Sequence, residues 1–164
     1  MASKKGISVT IGILAAITIA SFVIWTIPQN NQATFVVSDY ESHLDGVKAI
    51  HQIIMEDLDD DFQNLINGDV TFQEYIDAAE GSSTQINSQI IQLVQSEVNE
   101  EWSMSYSYYM EALKNYNSHI RETIVAANKI AENVDSDIQS SLEKSQEFKD
   151  NMYSLIEQSD KARP

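Results

Sequence analysis

The chain reads as all-α: an N-terminal transmembrane helix followed by an extracytoplasmic up-down-up-down four-helix bundle. Three observations predict this. Residues 7–27, ISVTIGILAAITIASFVIWTI, are 21 consecutive uncharged positions, and a hydrocarbon core about 30 Å thick needs roughly 20 apolar helical residues. Beyond Pro28, apolar residues recur every three or four positions almost to the C-terminus, the period of a helix with one buried face. Five Gly and two Pro in 164 residues are too few for the turns of an all-β fold.

The order of elements follows from local signals. Lys4 and Lys5 are the only positive charges beside the apolar run, and positive residues favour the cytoplasmic side. Residues 1–6 are therefore expected in the cytoplasm, 7–27 across the membrane as a single-pass signal-anchor, and the remainder outside. Trp25 is placed to sit at the outer interface. Ser8, Gly12, Ala16 and Ala20 recur every four residues, a small-residue face on which a second membrane helix can approach closely; the plainer reading is the ordinary Gly and Ala content of such helices.

Pro28 ends the span, and residues 28–37 form a polar linker to a bundle domain over residues 38–160, with 161–164 as a tail. Ser38-Asp39-Tyr40-Glu41 offers a capping box, with Ser38 as cap. Behind it Tyr40, Leu44, Val47, Ile50, Ile54, Leu58, Phe62 and Leu65 mark one helical face. Asn67-Gly68 ends that helix, with Gly in the left-handed cap position. Thr71-Phe72-Gln73-Glu74 is a second capping box, and Phe72, Ile76, Ala79, Ser83, Ile86, Ile90, Leu93 and Glu97/Val98 continue the rhythm. A kink is conceivable at Gly81. A third face runs from Trp102 through Tyr106, Tyr109, Leu113, Tyr116, Ile120, Ile124, Ala127 and Ala131 to Val134. Neither Gly nor Pro separates it from the second helix, so a continuous rod is an alternative there. The last helix starts at Asp135 or Ser136, presents Ile138, Leu142, Phe148, Met152 and Leu155, and frays from Asp160.

Lys5-Gly6-Ile7-Ser8 followed by a long apolar helix resembles the signal segment of archaeal type IV pilin-like proteins. In that family a prepilin peptidase cuts after the Gly and the exposed helix packs into a filament core. The resemblance implies that Gly6 is the last residue removed and Ile7 the new N-terminus. It covers residues 1–28 only. The acidic residue that many bacterial pilins carry near the start of this helix is missing, since Thr10 and Ile11 stand there. Secretory cleavage has one candidate site, Asn31-Gln32-Ala33.

Charge and composition exclude several chemistries. All 25 acidic residues lie after Pro28, against 8 Lys and Arg there, a balance that repels nucleic acid and anionic headgroups and favours cations or basic surfaces. With no cysteine, disulfides, thiolate catalysis and iron–sulfur clusters are excluded. The bundle has to hold itself together by packing. Neither an Asn-x-Ser/Thr sequon nor any Glu-x-x-His motif is present, so no metal ligand set and no cofactor is expected.

Two clusters remain as candidate sites. Glu56, Asp57, Asp59, Asp60 and Asp61 break the calcium-loop pattern, because Phe62 and Gly68 stand where Gly and Glu are needed. In the bundle they would join Asp69, Glu74, Asp77, Glu80, Glu132, Asp135 and Asp137 at the membrane-distal tip, opposed by Lys129 alone. Such a tip suits weak divalent-cation binding or a basic partner; the plainer reading is a solvated, solubilising surface. Trp102, Tyr106, Tyr108 and Tyr109 suit an aromatic interface or pocket, with core as the plainer reading. His51, between Ile50 and Ile54, reads as a bundle-edge residue.

No nucleophile elbow or Gly-rich loop is present, and the expected class is non-enzymatic. The expected function is binding: an anchored accessory subunit or scaffold of a membrane or cell-surface complex, with a protein partner or self-association. Alternatives are a pilin-like filament subunit processed after Gly6 and a sensor-like ligand-binding module.

Overall fold

A computed structural model describes residues 39–132 and 135–164 of the chain, with side chains of the last segment described from Ile138. The expected membrane span, its stripe Ser8, Gly12, Ala16 and Ala20, the Gly6–Ile7 junction, the linker and the side chains of Asp135 and Asp137 lie outside the described residues. Within them no helix is long and apolar enough to cross a membrane.

Four helices and no strand make up the described part: α1 (Tyr40–Asn67), α2 (Phe72–Gln95), α3 (Glu100–Ala131) and α4 (Asp135–Lys161). Their ends show why they form where they do. Asp39, not Ser38, caps α1: it is extended at φ −141°, and its carboxylate accepts from the Ser42 N–H at 3.0 Å. Gly68 closes α1 at φ +80° and donates back to the Leu65 carbonyl, a left-handed geometry that glycine adopts without a Cβ penalty. At the start of α2 both halves of the capping box form, Thr71 taking the Glu74 N–H and Glu74 the Thr71 N–H. α2 then runs unbroken through Gly81.

The rod joining α2 and α3 does not exist. α2 ends at Gln95, so Glu97 and Val98 do not continue its face. The Ser96 hydroxyl donates to the Leu93 carbonyl at 2.7 Å, Glu97 turns left-handed at φ +42°, and Asn99 caps α3 by accepting from the Trp102 N–H. A side-chain bond, one strained residue and an N-cap together do what Gly or Pro usually does.

Core positions repeat in heptads, the spacing of near-parallel helices packed at small angles. On α1, Leu44, His51, Leu58 and Leu65 are all buried. Ile50, expected inside, is 42% exposed, and His51 holds the core position beside it. On α3, Ser105, Ala112, His119 and Ala126 form one buried heptad row, and Tyr106, Leu113, Ile120 and Ala127 form the next. Ala131, also expected inside, is exposed. On α4 the fully packed residues are Ser141, Ser145, Met152 and Ser159. Leu142, Phe148 and Leu155, expected as its core face, are only half-buried.

These small residues set the cross-section. Ser105 meets Ser159, each hydroxyl reaching the other's carbonyl at 2.8 Å, and His119 meets Ser145 at 2.8 Å. The same antiparallel register places Ala112 level with Met152. Serine and alanine let the two backbones approach, and α3–α4 is the most closely packed pair. α4 is thereby drawn onto α3 and away from α1. Cα atoms of α1 and α3, diagonal in a square bundle, come within 8 Å, whereas those of α1 and α4 do not. The result is a skewed bundle with one open edge.

The C-terminal end is held rather than frayed. Lys48 pairs with Asp160, and Arg163 Nη2 sits 2.5 Å from Asp45. These ion pairs tie the end of α4 to the start of α1 across the open edge.

Candidate functional site

The open α1–α4 edge is a cleft. One cavity of about 390 Å³ has α1 residues including His51, Met55 and Glu56 on one wall, Tyr153 and Ile156 of α4 on the other, and Tyr109 of α3 as floor. A second, of about 230 Å³, lies further along the same edge, between Phe62 of α1 and Leu142 of α4, over Tyr75, His119 and Thr123. Asp59 lines both. Its carboxylate takes both bonds from Lys149 Nζ, at 2.6 and 2.8 Å. This ion pair spans the cleft where the two cavities meet.

A ladder of histidines and tyrosines joins the diagonal helices, and of its rungs His51 and Tyr109 line the larger cavity. Tyr106 donates its hydroxyl proton to the Tyr40 carbonyl at 2.9 Å. Its oxygen therefore accepts from His43 Nδ1, 3.0 Å away, which defines that ring's tautomer. Two turns on, His51 Nδ1 lies 2.8 Å from the Tyr109 hydroxyl, and Tyr116 packs its ring edge-on to the imidazole at 4.8 Å. His51 is 1% exposed, yet its Nε2 has no hydrogen-bond partner. A buried polar nitrogen left unpaired costs roughly 1–3 kcal/mol, so a lone one beside a cavity points to something that completes it.

Electrostatics keep these rings uncharged. Burial lowers the His51 imidazole to about 4 and pulls His43 and His119 down as well. Burial likewise pushes the Tyr75 and Tyr106 hydroxyls up to about 12 and those of Tyr109 and Tyr116 higher still. Removing a charged form from water is the common cause. At neutral pH the rings offer hydrogen-bond donors and acceptors but no charge.

His119 and Ser145 make the nearest approach to a nucleophile pair. His119 Nδ1 is 3.0 Å from the Ser145 carbonyl and 2.8 Å from its hydroxyl. A carbonyl only accepts, so Nδ1 carries the proton and cannot withdraw one from Ser145. The pair is a structural clasp between α3 and α4.

The sequence-derived clusters fall as follows. Tyr106 and Tyr109 are buried, at 3% and 1% exposure, while Trp102 and Tyr108 are half-buried. Trp102 packs against Tyr40 and Tyr106 at 6.3–6.4 Å between ring centroids. In the acidic group Glu56, Asp57, Asp60 and Asp69 are exposed, and Asp59 and Asp61 are partly covered. Lys149 joins Lys129 as a base among these acids, through Asp59. Among the described residues no three His, Asp or Glu side chains are grouped to hold a metal ion. His51, expected at the bundle edge, is instead buried, and His119 and Ser145 carried no expectation, because all three are polar residues in apolar register. Their heptad spacing from Leu44, Ala112 and Met152 is the signal that reveals them.

Comparison with protein-family models, with characterised proteins and with solved structures finds no match for this chain. The fold and the cleft define an all-helical bundle, and function has to be argued from the cleft itself.

Proposed function

We propose that the bundle is a non-enzymatic binding module, held at the outer face of a membrane by residues 7–27, with the α1–α4 cleft as its working site. One observation carries this reading: a cavity of about 390 Å³, within the range of small-molecule sites, abuts a fully buried histidine with an unpaired nitrogen. Helical bundles place ligand sites between helices, built from inward-facing side chains. A scaffold works through its outer surface, so a concave edge with polar groups at its floor favours the ligand-binding module over the accessory subunit. The filament-subunit reading draws only on residues 1–28.

Native mass spectrometry of the chain extracted from its own membrane tests this. The expected spectrum shows the full chain, beginning at Met1 or Ala2, with a small-molecule adduct that denaturation releases. A stoichiometric second polypeptide in place of the adduct returns the protein to the scaffold class. A chain beginning at Ile7 moves it to the filament class.

A further inference from the structure

We infer that the larger cavity takes a small uncharged molecule with an apolar body and a carbonyl group, whose oxygen accepts from the buried Nε2–H of His51. This rests on the cleft being the working site and goes on to specify the ligand's chemistry.

The place of the proton follows from Tyr109. At neutral pH the buried imidazole is uncharged and carries a single N–H. Tyr106 has the Tyr40 carbonyl as an outlet for its hydroxyl proton and can accept from His43. Tyr109 has no such outlet, because among the described residues its hydroxyl meets only His51 Nδ1. Were Nδ1 the donor, the Tyr109 proton and the Nε2 lone pair would both go unmet. With Tyr109 donating to Nδ1, only the Nε2–H is left over. Each unmet buried group is costly, so the second arrangement holds, and successive rungs of the ladder carry opposite tautomers.

What can meet that N–H follows from the rest of the lining. Among the described residues of the cavity wall, His51 alone has a buried polar atom without a partner. Lys48 is held by Asp160 and by the Tyr109 ring, 5.7 Å from its centroid, and Asp59 is neutralised by Lys149. An ammonium offers a donor only donors. A carboxylate would find no unpaired base on the wall and would enter a strongly acidic domain whose field repels it. A carbonyl brings an acceptor, no charge and no proton that needs a partner of its own.

The apolar body has its place as well. Met55, Tyr153 and Ile156 line the cavity beside the Tyr109 ring. Long helical side chains lie over the turn before their own, so Met55, one turn on, covers His51. Its unbranched thioether chain can swing aside without moving the backbone, which opens the way to Nε2.

The test uses the full chain in detergent with four probes of similar shape: benzylacetone, butylbenzene, hydrocinnamate and phenylpropylamine. Calorimetry gives the affinities, and nitrogen-15 spectra of the histidine rings show which nitrogen carries the proton and which responds to ligand. Before any probe is added, the His51 proton is expected on Nε2. Benzylacetone is expected to bind about tenfold tighter than the other three and to move the Nε2 resonance. His51→Phe is expected to bring it down to the affinity of butylbenzene, and Ile156→Trp, which fills the cavity, to abolish binding. A proton found on Nδ1 of the wild-type ring overturns the carbonyl assignment without recourse to any variant. So does a hydrocarbon, acid or amine that binds as tightly as the ketone; if Ile156→Trp abolishes that binding, the cleft still stands as a site. If none of the four binds, or binding survives Ile156→Trp, both readings fall together.

Discussion

His119 and Ser145 clasp α3 to α4 through one imidazole nitrogen, which faces both the hydroxyl and the carbonyl of the same serine at 2.8 and 3.0 Å. Two heptads away the reciprocal Ser105–Ser159 bonds repeat the device without a ring. The position of α4, and with it the cleft, follows from how little volume these serines occupy.

Enlarging the seam should therefore destabilise the fold. Ser159 is fully buried, and Ser159→Leu forces extra methylenes against Ser105 while removing a bonded hydroxyl. The expected cost is about 1–3 kcal/mol, read as a lower urea midpoint at unchanged slope. The same change at exposed Ser154 should leave the midpoint nearly where it was. Equal effects at the two positions would remove the seam argument.

Acid should weaken the bundle as pH falls from 6.5 towards 4. The unfolded His51 imidazole takes a proton near 6.5, whereas the folded one resists until about 4. Between those values the unfolded chain binds more protons, so stability falls as pH drops through the window. His51 alone contributes on the order of 3 kcal/mol across it, and His119, held down by its own burial, adds in the same direction. Asp39 and Glu74 have lowered pKa values through their caps, and their stabilisation is lost only at lower pH. Chemical unfolding at pH 7, 6 and 5 should show the decline, and His51→Leu should flatten it; a wild-type profile flat from pH 6.5 to 4.5 would contradict a neutral buried imidazole.

Glu97 sits in the left-handed region at φ +42°, where a Cβ is penalised by roughly 1 kcal/mol. Glu97→Gly should raise stability by several tenths to about 1 kcal/mol, and a thermal scan suffices to see it. A loss of stability would mean that the glutamate makes a compensating contact.

Gly46 and Gly81 lie inside α1 and α2, and a Cβ added at either meets nothing within 4 Å. Gly46→Ala and Gly81→Ala should each stabilise by about 1 kcal/mol and combine additively, being on different helices. Gly68→Ala should do the opposite, because its φ is +80°.

Much of this architecture was legible in the chain. Thr71, Glu74 and Gly68 mark helix ends through bonds made within a few residues, so their meaning survives without tertiary context. The three-four rhythm of Leu44, Val47, Ile54 and Leu58 needs only a helix and a core. The break at Ser96–Asn99 was harder to see, because a strained glutamate does there what a glycine normally signals. His51, Ser145 and Ser159 were harder still. A polar side chain is buried only when a partner from another helix satisfies it, and that partner lies 26 to 58 residues away.

The sequence by itself determined the helical repeats, the capping box at Thr71 and Glu74, the stop at Gly68, an acidic surface and an apolar N-terminal segment, since each depends on local bonding or on composition. Tertiary structure alone decided that small residues draw α4 onto α3, that a histidine–tyrosine ladder joins α1 to α3, and that a cleft opens between α1 and α4. Which helices touch depends on side-chain volumes summed across a seam, and no single stretch of chain contains that sum.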